Sequence, residues 1–449
     1  MSRVSRRQQR LLTILCALGI LFPKTGGAMF QWLGRTSDAE NEAIRYSAGT
    51  PAEAIARLQA EIGAGRTELQ FDAKGGYLNS VLRALKIPLA SQTLVFSKTS
   101  FRRELISPQK PRALYFNHDV YVGWVPGGRV LEIASVDPKL GAVFYTLSQE
   151  KTAQPTFQRQ TQACLQCHDS PSLTGDVPGL IMKSVYPDTD GEPIVSAGTF
   201  VTSDQSPMKE RWGGWYVTGT HGAQVHMGNA LVDDSRDGAN LNLTAGANLT
   251  DLRMRIDTQP YLSSHSDIVA LMVLAHQNSL HNLMTRASYR TRMALHFDRQ
   301  RNEESGRAAD YASESTRSLV RSVAEPLVRA MLFVEEAPLL EPVSGSSGFS
   351  KEFSSQGPRD HRGRSLLELD LTTRLFRYPC SYLIYSASVD ALPSLVKDYV
   401  YRRLWDVLSD EHRRDAFAHL SRSDRTATME ILLETKPDFA AWRTMRASP

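Results

Sequence analysis

Cysteine is scarce in this chain, at four residues in 449. So few thiols cannot build the disulfide framework of a small secreted domain, so any core must rest on packing. A dominant charge is missing too, since 52 basic residues face 48 acidic ones. Five of the basic groups and none of the acidic ones fall within residues 1–28, which leaves 47 against 48 beyond that point. So even a balance gives no electrostatic footprint for nucleic acid or for an acidic membrane surface. The apolar run from Leu11 to Phe22 holds 12 residues. As a helix it would reach ~18 Å, against a hydrocarbon core of ~30 Å. There is no G-x-x-x-x-G-K-[ST] loop, no G-x-G-x-x-G run, no H-E-x-x-H pair and no repeat at a fixed period. Nucleotide-cradling and zinc-protease chemistry therefore have no signature here.

The start of the chain has the layout of an export signal. Arg3, Arg6, Arg7 and Arg10 form a basic head, Leu11 to Phe22 the apolar centre, and Gly26-Gly27-Ala28 a small-residue site. This pattern predicts a signal peptide over 1–28 cleaved after Ala28, with an uncleaved anchor as the alternative. The expected compartment is the periplasm, and a membrane is met only if the N-terminal segment is retained.

The most informative residues are Cys164-Leu165-Gln166-Cys167-His168, a C-x-x-C-H run. Its spacing suits covalent haem attachment, each thiol adding across one vinyl group and the adjacent histidine reaching the iron. At these residues the chain resembles the c-type cytochromes. The stretches Leu94–Phe101 and Phe376–Ser386 also resemble those of large, uncharacterised single-haem secreted bacterial proteins. The resemblance implies one covalent haem c, held by Cys164 and Cys167 with His168 as proximal iron ligand. Export and motif agree, because haem is attached to c-type proteins outside the cytoplasm. A zinc site would need more Cys or His nearby, and the next histidine, His221, is 53 residues on. A redox dithiol would need a thioredoxin-like strand and helix, whereas a polar stretch, Gln154 to Gln162, precedes this run.

The sixth iron position separates an electron carrier from a site that binds small ligands. Met227, 59 residues after His168, is one candidate, although the proline usual after such a methionine is missing. His226 and His221 share its segment, and His276 occupies an apolar helical face from which it could point at iron. Met182 follows the motif too closely, and His118 precedes it. Each has a plainer reading as a packed or hydrogen-bonded core residue. Arg211-Trp212-Gly213-Gly214-Trp215-Tyr216 offers donors suited to haem propionates, or else a strand with aromatic packing about a glycine bulge. Asp233 to Gly238 and Asp188 to Gly191 read as polar turns. Cys380 reads as a buried, inert thiol.

The pattern of elements predicts an α+β chain. Short helices are expected over 29–92, from Thr50-Pro51 to Ile62 and from Leu78 to Ile87. A strand-rich, haem-bearing domain over 93–255 follows, with strands at 94–96, 113–125, 130–136 and 142–147 and two more within 180–201. A helical segment over 256–339 comes next, its first helix capped by Ser266 or Asp267. Residues 340–364 read as a linker or loop, and 365–449 as a helical C-terminal segment. The function expected is electron transfer with a redox partner protein. The alternatives are a peroxidase-like haem enzyme that binds a small-molecule haem ligand, and a haem-based sensor.

Overall fold

Between residues 93 and 160 short runs rich in β-branched and aromatic residues recur between turn residues, the composition of strands buried on both faces. The computed structural model describes residues 37–100, 103–233, 240–409 and 415–447, and the expected signal over 1–28 lies outside them. Residues 38–449 form one unit. Two helices, α1 (Ala54–Gly63) and α2 (Leu78–Ala84), precede the sheet. Glu53, rather than Thr50, caps α1, accepting from the Ile55 and Ala56 amides at 2.6 and 2.9 Å.

The strands are β1 (Thr93–Val95), β2 (Arg112–Phe116), β3 (Val120–Trp124), β4 (Val130–Asp137), β5 (Gly141–Ser148) and β6 (Phe157–Gln160). They pair antiparallel in the order β6-β5-β4-β3-β2-β1. The expected single strand over 113–125 is a hairpin. The Asn117 side-chain oxygen accepts from the amides of Asp119 (3.1 Å) and Val120 (2.9 Å), a local turn that competes with extension. The polar stretch before the motif contains β6, an edge strand in which only Phe157 is buried.

After β6 come the single turn α3 (Leu165–His168), the hairpin β7 (Lys183–Val185) with β8 (Thr199–Val201), and β9 (Trp215–Tyr216) beside β1. One sheet face, with Tyr115, Val122, Ile133 and Tyr145, packs on α1 and α2 through Ile55, Leu58, Leu78 and Val81. The other, with Phe116, Tyr121, Ala134 and Phe144, meets the helical half.

That half begins after β10 (Gly219–Thr220) with α4 (Ile268–Ser305), 38 residues long. Its first ten residues are all buried, as befits a helix surrounded by protein. Next come α5 (Glu314–Met331), β11 (Ser344–Gly345), α6 (Phe349–Ser354), α7 (Ala387–Asp390), α8 (Ser394–Leu408), α9 (Arg422–Thr435) and α10 (Pro437–Ala447). The stretch 340–364, expected as a linker or loop, holds β11 paired with β10 and buries Phe349 and Phe353 of α6 in the core. The class is α+β, with a strand-rich N-terminal half and a helical C-terminal half. Among the described residues no helix is long and apolar enough to cross a membrane.

Candidate functional site

The C-x-x-C-H run folds as one helical turn. Cys164 leads it, and its carbonyl accepts from the Cys167 amide at 3.2 Å and the His168 amide at 3.0 Å. Positions i, i+3 and i+4 share one side of a helix, so this turn gathers both thiols and the imidazole. Cys164 is partly buried, Cys167 is exposed, and both thiols are free. Burial pushes the Cys164 thiol up to about 11, and the Glu132 carboxylate adds to the rise. At neutral pH it is a thiol rather than a reactive thiolate.

His168 is held with more care. Its Nδ1 lies 2.8 Å from the Gly179 carbonyl, and the Gly179 amide donates back to the His168 carbonyl at 2.8 Å. The carbonyl can only accept, so Nδ1 carries the proton and Nε2 keeps its lone pair. Nε2 has no hydrogen-bond partner among the described residues. The ring lies 4.6 Å from that of Phe144 on β5. Burial lowers its pKa, the Gly179 bond opposes the shift, and the nearby Arg112 charge lowers it further, so the imidazole is neutral. A hydrogen-bonded Nδ1 with a free Nε2 is the arrangement of a metal-ligating histidine.

Gly179 is fixed from α4. The Asn282 side chain accepts from the Leu180 amide and donates to the Leu180 carbonyl, both at 2.8 Å. A Cβ on Gly179 would lie 2.4 Å from the Asn282 oxygen, so only glycine fits there.

Beside the motif the sheet presents a partly exposed floor. Strand register aligns Leu114, Gly123, Glu132 and Thr146 across β2 to β5 on the face that carries Phe144. Arg112 crosses β3 over Gly123 and meets Glu132 at 2.8 Å. A Cβ at 123 would lie 2.1 Å from its guanidinium. The Arg112 Nε is buried without a hydrogen-bond partner among the described residues. Two thiols and a free imidazole nitrogen on one turn, next to a floor where Arg112 lies over Gly123, form a donor set that fits a covalently attached porphyrin.

The distal candidates stand elsewhere. Met227 is buried against β7, where its sulfur accepts from Ser184 Oγ at 3.6 Å. His226 packs its ring 4.7 Å from that of His221 and 5.4 Å from that of Trp212, and burial drives its pKa down to about 3. His221 Nε2 accepts from the Asn248 amide at 3.1 Å. His276 has both ring nitrogens engaged, with Asp204 Oδ2 and Ser381 Oγ each at 2.7 Å. Among the described residues no hydrogen bond or ring contact joins any of these side chains to His168. Met182 is buried in the core, and His118 packs against Tyr382 and Phe353.

Arg211 does not face the motif either, because it donates to the carbonyls of Ser206 and Asp204. Trp212 and Gly214 both adopt positive φ, 68° and 85°, and Trp215 Nε1 donates to the Lys183 carbonyl at 2.8 Å. This is aromatic packing around a bent strand end. Burial pushes the Cys380 thiol up to about 12, consistent with an inert group. Asp188 forms the expected turn through its own carboxylate, while most of the loop after Asp233 lies outside the described residues.

Gly179, Asn282, Phe144 and the Arg112–Glu132 pair were not read from the sequence. Only Gly123 left a trace, as a glycine inside a strand pattern, which often marks a close approach. The chain matches no protein-family model, no curated protein and no solved structure.

Proposed function

We propose that this chain is an exported c-type protein that binds one haem covalently and transfers single electrons in the periplasm. Cys164 and Cys167 are the anchoring thiols. Each adds across a vinyl group, forming a carbon–sulfur bond while its proton ends on the neighbouring vinyl carbon. His168 presents Nε2 to the iron. The observation that carries this reading is the 2.8 Å contact between His168 Nδ1 and the Gly179 carbonyl, which fixes the tautomer with a free Nε2. When bound, the haem supplies a one-electron couple. The chain's own part is to fix His168 through Gly179 and Asn282 and to keep water from the Phe144 side of the ring.

A second reading has one observation in its favour. Met227 and His276 bond to partners away from the motif, and His226 packs against the rings of His221 and Trp212 there. That favours an exchangeable sixth position and hence a peroxidase-like or ligand-sensing role. Reduced-minus-oxidised spectra of protein matured in a haem-attaching host test the first reading and separate it from the second. A low-spin reduced spectrum unchanged by carbon monoxide supports the carrier. A rapid shift on adding carbon monoxide or peroxide supports the exchangeable site, and a colourless protein contradicts both.

A further inference from the structure

Charged side chains inside a sheet face normally turn outward to water, yet one ion pair here lies across the strands beside the motif. Arg112 on β2 and Glu132 on β4 meet at 2.8 Å, each side chain about one-fifth exposed, 19% and 21%. They are separated by a whole strand, roughly 9.6 Å of sheet. The contact exists only because β3 carries Gly123 at the crossing, where a Cβ would come within 2.1 Å of the guanidinium. Glu132 lies two residues along β4 from Ala134, which pairs with Phe144, and the His168 ring rests on Phe144. Both charges act on the motif, and in opposite senses on the His168 ring and on the Cys164 thiol alike. An ordinary surface pair would gain little from such a crossing, because exposed ion pairs contribute roughly 0–1 kcal/mol.

We infer that the Arg112–Glu132 pair, seated over Gly123, is an electrostatic positioning device that sets the reduction potential of the group bound at Cys164, Cys167 and His168. This inference rests on the haem reading above. The two charges oppose each other, so removing either unbalances the site. A cation near the iron favours the reduced state, whose net charge is lower, and an anion favours the oxidised state. The Lys183 charge also acts on His168 and is present in either variant.

The test is the midpoint potential of holo-protein matured in a haem-attaching host, for wild type, Arg112→Gln, Glu132→Gln and Arg112→Lys, with covalent haem quantified in each. Arg112→Gln should lower the potential and Glu132→Gln should raise it. Each shift should be on the order of tenfold in the reduction equilibrium, ~59 mV for one electron. Arg112→Lys should restore most of the wild-type value. A merely structural pair would move both glutamine variants the same way or not at all, and that result overturns the inference while leaving haem attachment standing. If Arg112→Gln does not fold, Glu132→Gln decides alone, an upward shift supporting the inference and none or a downward shift overturning it. Absence of covalent haem from wild type removes both the inference and its premise.

Discussion

Gly179 joins three parts of the protein with two backbone groups. Its carbonyl fixes the His168 ring, its amide returns a bond to the His168 backbone, and its lack of a side chain admits Asn282 of α4. Asn282→Ala should therefore act at two places. Losing two hydrogen bonds to Leu180 should cost about 1–3 kcal/mol in urea unfolding. In haem-loaded protein, added imidazole should displace His168 roughly tenfold more readily, because the support behind a metal-binding histidine tunes its affinity by about that much. Unchanged imidazole affinity would separate Asn282 from the site. The motif was legible because Cys164, Cys167 and His168 are neighbours in sequence and spacing alone declares their chemistry. The supports were not, because Asn282 meets Leu180 across 102 residues of chain and local patterns do not report such pairings. His276 shows the converse. Its helical face was read correctly as an apolar one, but its partners Asp204 and Ser381 come from distant loops.

At the scale of elements, α4 is the backbone of the helical half, and its start is over-secured. Asp267 accepts from the Val269 and Ala270 amides at 2.9 and 3.2 Å with one oxygen. The other oxygen accepts from the Ser346 amide at 2.7 Å, the Ser347 amide at 2.8 Å and the Ser347 hydroxyl at 2.9 Å. Asp267→Ala should cost well over the ~1 kcal/mol of an ordinary cap, at least ~2 kcal/mol. Ser421→Ala, at the exposed capping box of α9, should cost about 1 kcal/mol. Chemical denaturation of the two variants side by side checks the ranking, and equal losses would contradict it. The cap of α4 was legible because Asp before an apolar helix is a local signal. The role of 340–364 was not. Its serines and glycines resemble a linker, but they serve to wrap Asp267 and admit α6, whose Phe349 and Phe353 are the only strong clue to burial. The α+β division was legible from the change of period near residue 93, whereas the hairpin at Asn117 was missed although Asn117-His118-Asp119 interrupts the apolar run there.

The whole molecule should be most vulnerable on the acid side. Burial lowers the pKa of His118, His168, His221, His226, His281 and His419, that of His226 to about 3. Below the ordinary value of about 6.5 the unfolded chain takes up protons that these folded imidazoles refuse. Stability from this source is thus complete above pH ~6.5 and falls as pH drops toward the folded values, by up to ~1.4 kcal/mol per pH unit for each buried group and by less for the exposed His419. Glu336 works the other way. Burial raises its carboxyl to about 7, with Asp204 adding, so the folded state holds a proton that the unfolded state releases above about 4.5. Its contribution is complete below that value and is lost as pH rises through 7. The six histidines outnumber it, so urea midpoints should climb from pH 4 to about 6.5 and then level off. A flat profile, or one that rises toward acid, would contradict the burial described here. Glu336→Gln should lift the midpoint at pH 8 more than at pH 5.

The central claim is that Cys164 and Cys167 carry a porphyrin through carbon–sulfur bonds. The most direct test is the mass of the denatured protein after export and maturation in a host able to attach haem, with peptide mapping across 164–168. The account predicts a single haem increment that survives acid–acetone extraction, located on those two cysteines and lost in Cys164→Ala/Cys167→Ala. Mature protein of unmodified mass, with both thiols open to alkylation, would contradict it.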